Sequence, residues 1–138
     1  MSVKLYMIAT AIAGILALST PTLGQNPTSA KPHTIVVNLV VTGGSKPYAF
    51  EPSNITVQRG DTVRFVNTVA VMHNVHFKTH PSDSKLGSIT TGPYLITKGQ
   101  IYNVIIDKRF TDGTYTFVCD PHELLGMHGT FIVAGNSL

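Results

Sequence analysis

Four side chains in this sequence carry donor atoms suited to a metal ion, and three of them fall within one short segment. From Thr116 the chain reads Thr-Phe-Val-Cys-Asp-Pro-His-Glu-Leu-Leu-Gly-Met-His-Gly, so Cys119, His122 and Met127 are spaced C-x2-H-x4-M. That spacing lets a single loop fold a thiolate, an imidazole and a thioether onto one ion. A further imidazole, His73, stands 46 residues earlier. A thiolate and two imidazoles in a trigonal plane, with a weak axial thioether, make the donor set of copper electron-transfer sites. The sulfur donors suit Cu(I) and the imidazoles suit Cu(II). A trigonal arrangement lies between the geometries the two oxidation states prefer, so little has to move when an electron arrives or leaves. The plain alternative is a buried cysteine, a core methionine and unrelated histidines, since free Cys and Met are often only packing.

The elements that must hold these donors read as strands. From His33 onward, short β-branched and aromatic runs alternate with turn residues, and no stretch of ten or more shows a convincing helical period. The expected strands are His33–Val41, Tyr48–Phe50, Ile55–Gln58, Thr62–Asn67, His73–Lys78, Gln100–Asp107, Thr114–Cys119 and Gly129–Ala134. Turns fall at Thr42-Gly43-Gly44-Ser45 and Arg59-Gly60-Asp61, and Thr79–Pro93 reads as a long polar connection. Eight short strands in roughly 105 residues predict an all-β, two-sheet sandwich. Side chains alternate across a strand, so His73, Val75 and Phe77 share one face, and Tyr115, Phe117 and Cys119 share another. Both faces are apolar, which turns one imidazole and the thiol toward the core.

Length and composition narrow the rest. A chain of 138 residues with 43% hydrophobic content has the size and apolar content of one domain. Charged residues make up 12%, with 10 Lys+Arg against 7 Asp+Glu and no basic run, so nucleic acid is not an expected partner. Residues 1–24 have the layout of a signal peptide: Lys4, an apolar stretch from Leu5 to Leu18, then Thr22 and Gly24 as small residues before a cleavage point. The apolar stretch is about 14 residues, short of the roughly 20 that span a bilayer. Residues 25–32 read as a flexible leader and 33–138 as the domain. Export to the periplasm or the extracellular space is therefore expected, with no stable membrane insertion once the signal peptide is removed. Cys119 is the only cysteine and has no disulfide partner in its own chain. Metal ligation gives a lone thiol in an oxidising compartment a purpose.

Ordered blocks across the domain carry a resemblance. Glu51-Pro-Ser-Asn-Ile-Thr-Val, Arg59-Gly-Asp-Thr-Val-Arg-Phe-Val-Asn, His73-Asn-Val-His-Phe and Cys119-Asp-Pro-His-Glu-Leu-Leu-Gly-Met together resemble the plastocyanin-like cupredoxins, in particular small exported copper proteins of bacteria or archaea. The resemblance implies a Greek-key β-sandwich with one copper ion near one end, bound by His73, Cys119, His122 and Met127. It also implies that His122 lies at the surface as the electron port. The Asn74 backbone would then support the Cys119 sulfur, and the Asn74 side chain would tie to the cysteine loop near Asp120. Plant plastocyanins carry an acidic run that this sequence lacks. Docking is therefore expected through a small apolar patch of Pro121, Leu124, Leu125 and Gly126 around His122.

The remaining histidines read as solvated: His76 falls on the face opposite His73, His33 begins a strand and His80 lies in a connection. His128 adjoins Met127, but the one-residue shift turns it away in an extended segment. The function these residues imply is a mobile, monomeric one-electron carrier that docks briefly with redox proteins. A copper storage, delivery or sensing module is the alternative. A delivery protein favours Met- or His-rich exposed ends, and only 4 methionines occur, two of them in the signal peptide. A small copper oxidoreductase would need an open coordination position, which Met127 would fill.

Overall fold

The computed structural model describes residues 31–135. The signal peptide expected at 1–24 and most of the leader expected at 25–32 lie outside the described residues. Eight strands form two four-stranded sheets: β1 (Thr34–Val41), β2 (Tyr48–Glu51), β3 (Asn54–Gln58), β4 (Thr62–Asn67), β5 (His76–Thr79), β6 (Ile101–Ile105), β7 (Gly113–Val118) and β8 (His128–Ala134). One sheet has the order β2-β1-β4-β6 and the other β3-β8-β7-β5. β1 runs parallel to β4 and β3 parallel to β8; the other neighbours are antiparallel.

Alternation along each strand decides what the sandwich buries. Val37 and Leu39 of β1, Val63 and Phe65 of β4, and Tyr115 and Phe117 of β7 point inward and are buried, while Val36 and Arg64 point out. Phe117 is the centre of an aromatic cluster, with ring centroids 4.9 Å from Phe50, 5.5 Å from Phe65 and 6.0 Å from both Phe77 and Phe131. These pairs have the edge-on or tilted geometry that aromatic quadrupoles favour. Gly129 lies directly across from Phe117 in the β7/β8 register, and a Cβ there would run into the Phe117 ring. The site end of the core depends on this glycine.

Two expectations about strands need correction. The strand expected over His73–Lys78 forms its ladder only from His76; His73 instead makes an isolated bridge with Leu95. The physical reason is Asn74, whose buried side-chain Oδ1, in place of a backbone carbonyl, accepts the Asp120 N–H just past the end of β7. The connection expected as polar over Thr79–Pro93 contains a 3-10 turn at Gly87–Ile89, and Leu86 beside it is buried in the core. Ser84 of the same connection bonds the Tyr115 hydroxyl at 2.7 Å, which fastens it to β7.

Candidate metal centre

The donors meet at one end of the sandwich. His73 enters from the segment before β5, locked to Leu95 by His73 N–H to Leu95 O at 2.9 Å and Leu95 N–H to His73 O at 2.7 Å. Leu95 is held in turn by Asn67, a buried side chain whose amide donates to Leu95 O at 3.0 Å and to Val71 O at 2.9 Å. Cys119 follows directly on β7, and the chain then turns through a 3-10 segment, Asp120–Leu125, with Pro121 in its first turn. Gly126 closes that turn in the left-handed region at φ 85°, a conformation that a side chain would strain. The closure returns the backbone to Met127, whose O accepts from Cys119 N–H at 3.2 Å and whose N–H donates to His122 O at 3.2 Å. The loop is therefore cross-braced at both sulfur-bearing residues.

This bracing brings three donor atoms into a triangle. Cys119 Sγ lies 3.5 Å from His73 Nδ1 and 3.3 Å from His122 Nδ1, and the two nitrogens are 3.2 Å apart. The point equidistant from all three is about 1.9 Å from each, close to the ~2.0–2.3 Å of metal–imidazole and metal–thiolate bonds. Among the described residues this is the one group of three His, Cys, Asp or Glu side chains with converging ligand atoms. Met127 is fully buried beside it.

Electrostatics prepare the nitrogens for a metal. Burial, reinforced by the neighbouring His122, lowers the pKa of His73 from 6.5 to about 4, and burial lowers that of His122 as well. Both imidazoles are thus neutral near pH 7, with lone pairs to give. Burial raises the Cys119 pKa; backbone N–H groups of Asn74 and His122 work against that rise, and the charge of Asp120 adds to it. Without a cation the sulfur stays a thiol. A metal ion would replace the proton.

Asn74 and Asp120 are hydrogen-bonded to each other beside the triangle. Asn74 Nδ2 donates to Asp120 Oδ2 at 2.7 Å, and Asp120 N–H donates to Asn74 Oδ1 at 2.8 Å. Pro121, Leu124 and Leu125 are exposed and Gly126 is half-buried, all in or next to the turn that carries His122. His122 itself is more covered than expected, with 9% of its area accessible. Its cover is Tyr48 of β2, stacked on the imidazole with centroids 3.8 Å apart and edge-on to His73 at 5.7 Å. Tyr48 gave no signal in the sequence, because the contact joins β2 to the 3-10 turn, far along the chain. His128 Nε2 bonds Glu123 O at 2.9 Å, outside the triangle, as its register implies. His76 differs from expectation: it is not simply solvated but half-buried, with Nδ1 2.7 Å from Asp120 Oδ1.

The family model for copper binding proteins of the plastocyanin/azurin family matches residues 30–134. The chain belongs to that family. A plastocyanin of Prochlorothrix hollandica is 33% identical over 121 residues, covering 86% of each chain. A plastocyanin of Scenedesmus fuscus is 37% identical over 86 residues, covering 61% of this chain and 85% of its own. Among solved structures, pseudoazurin from Methylobacterium extorquens superposes with a TM-score of 0.54 at 26% identity, over 73% of this chain and 75% of its own. Copper is thus the cofactor, and the site fits it: one thiol and two neutral imidazoles converge, at metal-bonding distance from a common point, in a buried pocket.

Proposed function

We propose that this protein is a mobile one-electron carrier, exported from the cytoplasm, in which His73 Nδ1, Cys119 Sγ, His122 Nδ1 and the Met127 thioether would hold copper. The triangle of donor atoms carries this reading. Bound there, copper supplies a Cu(I)/Cu(II) couple. The protein's part is to keep the donors in one arrangement for both states. His73 is fixed through Leu95 and Asn67, and Cys119, His122 and Met127 through the braced turn, so neither charge state can pull the donors far. A site that does not rearrange exchanges electrons with little reorganisation.

His122 is the natural port. Its ring is the donor nearest solvent, with Pro121, Leu124, Leu125 and Gly126 about it, and Leu124 is fully exposed. Such a patch suits brief contact with a redox protein, since apolar contact without paired charges gives little residence time.

Copper titration of the purified protein followed by visible absorption tests the ligand assignment. One equivalent should produce an intense thiolate-to-copper band, and Cys119→Ala should abolish it. A parent protein that binds copper without that band would overturn the assignment.

A further inference from the structure

The segment from His73 to Thr79 uses its two faces for different tasks. His73, Val75 and Phe77 point into the core and are buried. The other face meets the 3-10 turn that carries the cysteine loop: Asn74 and His76 both bond Asp120, and Lys78 Nζ donates to Glu123 Oε2 at 3.2 Å. The Lys78 pair is exposed and contributes little. The Asp120 contacts are of another kind. Oδ2 accepts from Asn74 and Oδ1 from His76, each at 2.7 Å, so the carboxylate is gripped at both oxygens and cannot turn about its own axis. A carboxylate only accepts, so the Nδ1 of His76 carries the proton in this bond.

We propose that His76 is a positioning residue for the metal centre: its Nδ1–H fixes and partly counters the Asp120 carboxylate one residue from the Cys119 sulfur, and so helps set the reduction potential. This rests on the copper reading above. A carboxylate near the thiolate favours the more positive metal state, Cu(II), over the Cu(I) formed when one electron is added. A donor on that carboxylate weakens the preference. Asn74 alone would leave Oδ1 open, and the loop would keep its shape but lose this electrostatic restraint.

Voltammetry of copper-loaded variants at one pH separates this role from simple bracing. His76→Val should shift the potential downward, and His76→Asn, which restores an N–H near the Nδ1 position, should return it toward the parent value. Asp120→Asn should shift it upward, and adding His76→Val in that background should shift it little further. An unchanged potential in His76→Val, an equal shift in His76→Asn, or fully additive shifts would overturn the proposal. A second readout needs no metal: the nitrogen spectrum of labelled, copper-free protein should show His76 with its proton on Nδ1, and Asp120→Asn should release that preference. A His76 ring with no Nδ1 preference in the parent would also overturn it. If the parent lacked the thiolate-to-copper band, the copper reading would fail, while the nitrogen spectrum would still report on the His76–Asp120 bond.

Discussion

Tyr48 shows how a single side chain can shape the site without donating to it. Its ring lies flat against His122 and edge-on to His73, which limits the tilt of both imidazoles. Aromatic stacking of this kind contributes about 0.5–1.5 kcal/mol beyond burial. Tyr48→Leu should therefore lower the denaturant stability of the copper-free protein by about 1 kcal/mol, while Tyr48→Phe, which keeps the ring, should stay near the parent. Equal losses in the two variants would count against stacking. His73 gives a second expectation. Its pKa falls from 6.5 to about 4 on folding, so between these values the unfolded chain takes up a proton that the folded protein refuses. This contribution to stability is complete above about 6.5 and is lost as the pH falls toward about 4. Chemical denaturation of the copper-free protein across that window should show stability falling with pH, and His73→Leu should flatten the slope. A slope untouched by the substitution would rule out His73 as its source.

The elements supply what the donors cannot arrange themselves. β7 ends at Val118 and delivers Cys119 facing inward, the 3-10 turn swings His122 back over it, and β8 begins at His128 directly after Met127. Beneath them, Phe117 and Gly129 fit ring against backbone. Gly129→Ala should overpack this contact and cost about 1–3 kcal/mol, read from the denaturation midpoint. A variant as stable as the parent would mean that Phe117 moves aside freely. Much of this scale was legible in the sequence. The inward faces of β4 and β7 follow from alternation, and the ligand loop follows from the spacing of Cys119, His122 and Met127. The break in the ladder at His73 was not legible, because its partner Leu95 lies across a long connection and the disrupting contact comes from Asn74 to a turn far along the chain. His76 was placed on the correct face, yet that face is covered by the cysteine turn rather than by water, a fact only the packed loop reveals.

At the scale of the whole molecule, one sandwich holds the converging donors beside the loop between β7 and β8, with a modest net charge of +3 over the full sequence. Leu124 and Leu125 stand exposed in the turn that carries His122. No helix among the described residues is long and apolar enough to cross a membrane. The family, the sheet architecture and the donor set all follow from ordered local patterns, and these were the parts open to reading in one dimension. Tyr48 over His122 and His76 against Asp120 join segments that are distant in sequence, so they emerge only when the two sheets and the loop are packed together. The most direct test of electron carriage is voltammetry of the copper-loaded protein with its absorption followed at each potential. The expected result is one reversible one-electron wave, with the Cu(II) band vanishing on reduction and returning in full on reoxidation. An irreversible wave, or copper released on each cycle, would contradict it.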